Sequence, residues 1–391
     1  MEEPIRILYV INALEVGGTE GQLAELISGI EKERFSPYVC CLRTIKDKSS
    51  YSLDCPIIAL GVSRLMSLQT LIGMLSLVRY LNHNRIAIVQ TFFIEGTILG
   101  VVAAKLAKSV SAIVVSKRDL GFMLTKRVIW QLKLIYHFAD RFLANSKNVK
   151  DYLIKKEGVN RGRIDVIYNG IDIEALEKKM QEVSGADIRS REGIPEHVSI
   201  VGICANLNRK VKRVDLFLMA AAIVCKYLKD VFFVIIGEGC LKKSLLDLSE
   251  HLKIDLKTRF VGSQVNPIPF IRMFSVGVIS SDSEGFSNSI MEYMGCGVPV
   301  VATDVGGNRE LVEDGVTGLL VPCGDAEKMA EAIQVFLDQP AFRKKAGEEG
   351  KKVLLERFAK NKMIRDHEFY YASLTKEKRM AFKKKRGKFS A

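Results

Sequence analysis

Short apolar runs recur along most of this chain, and each is followed by a stretch whose apolar residues have helical spacing. Residues 5–11 are apolar except for Arg6, without the polar alternation of a strand that has one wet face. Such a run suits a strand buried on both faces, the condition of a parallel sheet covered by helices. Further runs of this kind lie at 36–43, 56–60, 87–91, 112–116, 141–145 and 164–167. Helical stretches separate them, the first at 19–30. Strand and helix alternating in this way predict a doubly wound α/β unit.

The pattern then occurs a second time. The turn signal Asn169-Gly170-Ile171-Asp172 closes the first series. Residues 174–192 are charged, polar and poor in β-branched residues, so they read as a linker. Strand-like runs resume at 199–204, 231–237, 258–261, 276–280, 298–303 and 318–321, with helices at 215–227 and 326–337. The expected organisation is a first domain at 1–185, a second at 186–356, a closing amphipathic helix at 357–375 and a basic tail at 376–391. A chain of 391 residues is long enough for two domains, each with its own core. Parallel sheets bind ligands beyond the carboxyl ends of their strands, so chemistry is expected in the loops that follow the strands.

One of those loops is Ser283-Glu284-Gly285-Phe286-Ser287-Asn288-Ser289-Ile290-Met291-Glu292. Gly285 permits a close-approaching backbone, and Ser287, Asn288 and Ser289 are favoured helix caps. A loop-to-helix junction here presents backbone N–H groups and the positive end of a helix dipole, which suits an anion such as phosphate. Two carboxylates beside a phosphate must serve something else, and hydroxyl groups are the natural partner. Sugar and ribose hydroxyls flanking a diphosphate describe a nucleotide sugar. Taken as a bare spacing, the same residues also fit two surface glutamates on an amphipathic helix.

Glu284 and Glu292 form a Glu-x7-Glu pattern that resembles the retaining glycosyltransferases of family 4. The continuation Tyr293-Met294-Gly295-Cys296-Gly297-Val298-Pro299-Val300-Val301-Ala302-Thr303, with the Gly306-Gly307 turn after it, is similar to that family as well. The resemblance is strongest over 199–322 and weakest over 30–160. It implies the GT-B architecture, two Rossmann-like doubly wound domains facing a central cleft. It further implies transfer of a sugar from a nucleotide-sugar donor, with the anomeric configuration retained. In that family the departing phosphate oxygen helps to take the acceptor proton, so no protein base is implied.

The resemblance assigns further roles. Asn206-Leu207-Asn208-Arg209-Lys210-Val211-Lys212-Arg213 follows the first strand of the second series, and Arg209 and Lys212 resemble the family's Arg-x-x-Lys pair. Asn208 looks like a one-residue insertion before it, and Lys210 and Arg213 are competing cations. Arg supplies a planar fork and Lys a mobile point charge, both suited to a leaving diphosphate. Glu284 is implied at the sugar hydroxyls, Glu292 at the ribose, and the backbone at Phe286, Ser287 and Asn288 at the phosphates or sugar. Gly262, in Phe260-Val261-Gly262-Ser263, would face the base, although an ordinary βα loop reads the same way. Gly17 and Gly18 join the first strand to the first helix and, by the resemblance, face the donor phosphates. As a Gly-rich turn alone they are weak, and they lack the Gly-x-Gly-x-x-Gly of a dinucleotide site.

On the acceptor side, many family members carry a histidine in the first domain. Neither Gln90-Thr91-Phe92-Phe93 nor Ser116-Lys117-Arg118-Asp119-Leu120-Gly121-Phe122 contains one. Arg118 and Asp119 are the candidates in its place, or else partners in a salt-bridged loop. With no Asp-x-Asp pair in the chain and no Cys/His grouping of zinc spacing, neither a metal nor another cofactor is expected.

The net charge of +13 is unevenly placed: residues 376–391 carry eight Lys or Arg against one Glu. Met380, Phe382 and Phe389 interleave with these charges, which suits an anionic lipid surface or, equally, a solvated tail. No nucleic-acid module accompanies the charge. Residues 124–139 hold Lys126, Arg127, Trp130 and Lys133 on an amphipathic pattern that either touches a membrane or covers the sheet, the second being preferred. Residues 86–104 are mostly apolar, but Glu95 would cost roughly 2.5–3.5 kcal/mol in a bilayer, and a strand at 86–91 with a helix at 97–107 accounts for them.

Eight scattered cysteines and the absence of a charged-then-apolar start set the expectation of a cytosolic protein, peripheral at the inner face of the cell membrane. The expected partners are a UDP- or GDP-sugar donor, a glycan or lipid-linked acceptor and, through the tail, an anionic membrane. A nucleotide-sugar epimerase of the same architecture is the alternative.

Overall fold

The computed structural model describes residues 3–15, 17–43, 53–62, 67–121 and 125–387, with side chains through 375. It divides into two compact units, one of Met1–Gly170 with Lys360–Ala391 and one of Ile171–Ala359.

In the first unit the apolar run forms β1 (Ile5–Ile11), whose residues from Ile7 onward are fully buried. The strands that follow are β2 (Phe35–Cys41), β3 (Ile57–Ala59), β4 (Ile88–Thr91), β5 (Ala112–Lys117), β6 (Arg141–Ala144) and β7 (Ile164–Val166). Among the described residues they build a seven-stranded parallel sheet in the order β3-β2-β1-β4-β5-β6-β7. Helices Leu68–His83, Ile94–Leu106, Lys126–Tyr136 and Lys147–Lys155 cover one face through Leu77, Leu99, Leu132 and Leu153. Helix Gly18–Gly29 and the closing helix cover the other through Leu26, Ile27, Ile364 and Tyr371. Tyr371 Oη donates to buried Gln90 Oε1 at 2.7 Å, which ties the closing helix to the centre of this sheet.

The second unit has β8 (Ser199–Cys204), β9 (Val231–Ile236), β10 (Thr258–Phe260), β11 (Val276–Ile279), β12 (Val300–Thr303) and β13 (Gly318–Val321). Their order is β10-β9-β8-β11-β12-β13, again parallel. The doubly wound expectation therefore holds for both units. Each sheet reverses its strand order once, between β1 and β4 and between β8 and β11, and ligand crevices form at such reversals.

Three expectations about organisation need correcting. The stretch read as a linker is helical, Ile173–Gln181 and Gly185–Glu192, capped by Asp172 and Ser184. Its charged residues lie on the surface, while Leu176 and Ile188 are buried within the second unit. The compact units accordingly meet at Gly170 and Ile171, not at 185 and 186. Finally, the closing helix belongs to the first unit, starts at Lys360, and runs on as helical backbone to Gly387. Close packing explains its place: a Cβ on Gly170 would lie 2.9 Å from the Lys360 backbone.

Candidate active site

At the β8/β11 reversal the two following loops are stitched together. Asp282 N donates to Val211 O at 2.8 Å, and Ser280 Oγ donates to Lys212 O at 2.9 Å. This brings Lys212 Nζ to 2.7 Å from Glu284 Oε1, and Ser281 Oγ donates to the same oxygen at 2.6 Å. Glu284 is only 8% exposed, so these two donors replace the water that its charge would otherwise need. Thr303 Oγ1 donates to Ser281 O at 2.7 Å and fixes that serine from β12.

The four cations of the 206–213 loop separate by environment. Arg213 has a left-handed backbone (φ 48°) and is locked by Asp215 and by Asp282, the latter at 2.9 Å. It is thereby spent on holding the loop. Lys210 and Arg209 are exposed, and the Arg209 guanidinium has no hydrogen bond or ion pair among the described residues. Only Lys212 touches a predicted site carboxylate.

Helix Asn288–Gly295 begins just beyond Glu284, and Ser287 Oγ accepts from Ile290 N as its cap. Phe286 is buried against Phe358 with ring centroids 5.4 Å apart, so its side chain anchors the loop and only its backbone is a candidate for ligand contact. The Gly306-Gly307 turn lies directly against this loop. Gly307 N donates to Glu284 O at 3.2 Å, and a Cβ on Gly307 would stand 2.2 Å from Gly285 O.

Glu292 lies in the second turn of this helix and has a different environment. Its carboxyl is partly buried and has no hydrogen bond or ion pair among the described residues. Burial pushes its pKa up to about 7, against the opposing pull of Lys179. A partly buried carboxyl with a raised pKa, next in sequence to Tyr293, whose hydroxyl accepts from Cys204 N at 2.7 Å at the end of β8, is a functional-site candidate.

The Gly237-Glu238-Gly239 turn after β9 was not singled out from sequence, though its Gly-x-Gly spacing after an apolar strand was the available signal. Gly237 (φ 144°) and Gly239 (φ 157°) allow backbone contact with the 205–208 segment, since Cβ atoms there would lie 1.8 Å from Ala205 O and 2.3 Å from Asn208 N. Gly237 N also donates to Gly262 O at 2.9 Å, which ties Gly262 (φ 73°) to the same turn. Gly237→Ala is expected to destabilise the protein by about 2–4 kcal/mol, read as a fall in denaturant midpoint at unchanged m-value.

In the first unit, Gly17 is extended and caps helix Gly18–Gly29 without a side-chain bond, as its residue type requires. Glu20 folds back on it, within 2.4 Å of where a Gly17 Cβ would be. After β5, Arg118 Nη1 donates to Asn169 Oδ1 at 2.8 Å and its guanidinium covers the Phe92 ring at 5.4 Å. Burial lowers its pKa to about 10, with Tyr371 and Glu20 opposing. Asp119 Oδ1 accepts from Gly121 N at 2.7 Å and lies 3.4 Å from Lys117 Nζ, whose closer partner is buried Glu157 at 3.0 Å. Among the described residues, the histidine absent from these two segments is not supplied elsewhere at the surface of this loop. The closing helix brings His367 into this unit, buried against Tyr371 at 5.8 Å, and burial holds it neutral with its pKa near 4.

The two units match two family descriptions in turn. Residues 16–175 match "Glycosyltransferase Family 4", and residues 185–353 match "Glycosyl transferases group 1". The chain belongs to the family 4 glycosyltransferases. This glycosyltransferase is 30% identical over 239 residues to the Campylobacter jejuni N-acetylgalactosamine-N,N'-diacetylbacillosaminyl-diphospho-undecaprenol 4-alpha-N-acetylgalactosaminyltransferase, covering 60% of each chain. It is also 30% identical over 215 residues to the N-acetyl-alpha-D-glucosaminyl L-malate synthase of Bacillus anthracis, covering 55% of each. The matches thus span less than two thirds of the length of these relatives. Among solved structures, Anabaena HepE in complex with UDP and glucose superposes with a TM-score of 0.82 at 20% identity, over 94% of this glycosyltransferase and all of HepE. That likeness establishes the GT-B type of fold.

Proposed function

We propose that this chain transfers a sugar, with retention of anomeric configuration, from a nucleotide-sugar donor to a hydroxyl of a glycan or lipid-linked acceptor in surface polysaccharide or glycolipid synthesis. The observation that carries the proposal is the Lys212–Glu284 pair at the β8/β11 reversal, 2.7 Å apart and just ahead of a capped helix start. A cation and a helix N-terminus receive a diphosphate, while a carboxylate held by that cation receives sugar hydroxyls.

In this reading Lys212, with Arg209 extending from the loop edge, stabilises the charge that develops on the leaving diphosphate. Glu284 orients the sugar, Glu292 accepts hydrogen bonds from the ribose hydroxyls, and the Gly262 backbone meets the base. Gly17, Gly18, Arg118 and Asp119 serve donor and acceptor from the first unit. The partnerless Glu292 carboxyl supports the ribose assignment, because two hydroxyl donors there supply the bonds it lacks. HepE's complex with UDP supports a uridine donor, and the diphospho-undecaprenol acceptor in the name of the Campylobacter relative supports a lipid-linked acceptor. The relatives named are both sugar transferases or synthases, and neither lends support to an epimerase.

A thermal-shift panel of UDP- and GDP-sugars tests the donor class, with a UDP-sugar expected to raise Tm most. The anomeric proton coupling of the product then tests the stereochemistry. A β-linked product from an α-linked donor would exclude retention.

A further inference from the structure

Helices Leu68–His83 and Lys126–Tyr136 flank helix Ile94–Leu106 in one layer over the first sheet, so their outward faces look the same way. Amphipathic helices in such a layer should end in polar residues outward. These do not. Leu68, Leu71, Ile72 and Leu75, at successive helical spacings, form the outward stripe of the first helix, and Leu68 is 73% exposed. On the other helix Trp130, Leu134 and then Phe138 in the following turn face outward, with Trp130 63% exposed. The sheet-covering role preferred for this helix from sequence is thus only half of the answer: Leu132 and Tyr136 cover the sheet, and the opposite side is apolar as well.

The charges on these two helices have one sign. Neither helix contains Asp or Glu, whereas Arg79, Lys126, Arg127 and Lys133 flank the apolar residues on the exposed surface. Glu95, at the start of the helix between them, is paired to Arg43 at 3.2 Å. No helix among the described residues is long and apolar enough to cross a membrane. Leucine, isoleucine, phenylalanine and a tryptophan on two helices whose own charges are all cationic are the composition of a surface that enters the headgroup region of an anionic bilayer.

We propose that the outward faces of helices Leu68–His83 and Lys126–Tyr136 form a docking surface for an anionic lipid bilayer. The inference goes beyond the sugar-transfer reading and does not depend on it. It places membrane contact on the body of the first unit, where the sequence offered the basic tail and, as the less preferred reading of residues 124–139, helix Lys126–Tyr136. Aliphatic and aromatic side chains enter the interface, and the lysines and arginines reach its phosphates.

Trp130 is the only tryptophan of the chain, so its emission reports this face alone. Titrating the full chain with phosphatidylglycerol-containing vesicles is expected to shift Trp130 emission to the blue and protect it from acrylamide. Phosphatidylcholine vesicles should do so at least about tenfold more weakly. The doubly substituted variant L71E/L134E, altered only at exposed positions, should keep its melting curve and lose co-flotation at least about tenfold. Co-flotation with unchanged Trp130 emission would overturn the proposal and place the contact elsewhere, as would undiminished flotation of the variant. A wild-type dimer that binds no vesicles and becomes monomeric in L71E/L134E would overturn it in favour of self-association.

Discussion

Lys212→Ala is expected to lower kcat/KM about 100- to 1000-fold, the usual loss on removing one charge that stabilises a leaving group. The geometry makes this substitution doubly costly. Lys212 Nζ is also the cation of Glu284, which is 9% exposed at its side chain, and the truncation leaves that carboxylate with Ser281 alone. Breaking such a buried pair costs about 3–5 kcal/mol, so Tm should fall with activity. The double variant K212A/E284Q, compared with E284Q alone, separates the two effects. With no uncompensated charge it should recover most of the lost Tm while activity stays low. Activity returning along with Tm would make Lys212 a structural residue and sink its assignment to the diphosphate.

Glu292→Gln is expected to weaken binding of the preferred nucleotide sugar and to abolish the pH dependence of that binding. The wild-type carboxyl, with its pKa near 7, must be ionised to accept two hydroxyl bonds. Donor affinity should therefore fall about tenfold between pH 8 and pH 6 as the group protonates. The diphosphate of a nucleotide sugar stays ionised across this range and contributes nothing to the trend. Stability runs the other way. A carboxyl whose pKa is raised by folding favours the folded state below its unfolded pKa, and that contribution disappears as pH rises through about 7. The ligand-free protein should lose about 3 kcal/mol from this group by pH 8, and E292Q should melt higher than wild type there. Calorimetric titration across pH and a pair of melting curves check both signs. Unchanged donor affinity in E292Q at pH 8 would end the ribose assignment.

Much of the fold was legible because its cause is local. The run at β1 has no polar alternation, and a strand without it must be covered on both sides. The glycines at 17, 18, 262, 285, 306 and 307 fall after strands, where turns and close approach demand them. The helices at 173–181 and 185–192 were read as a linker because a charged amphipathic surface helix and a solvated connector look alike in composition. Only the burial of Leu176 and Ile188 separates the two.

The sequence by itself determined two doubly wound units and the loops in which a nucleotide-sugar site would lie. Periodicity and turn chemistry act between neighbours along the chain, and neighbours are what a sequence displays. The tertiary structure decided which loops meet. Lys212 and Glu284 are 72 residues apart and pair because β8 lies beside β11, a strand that is not its successor. The same placement spends Arg213 on Asp215 and Asp282 and leaves Arg209 at the surface, a choice among four cations that spacing could not make. It also returned the closing helix to the first unit with His367 and Tyr371, and left the apolar stripe at Trp130 facing outward. Charge pairing and burial are properties of the packed neighbourhood, and that neighbourhood exists only once the strand order is set.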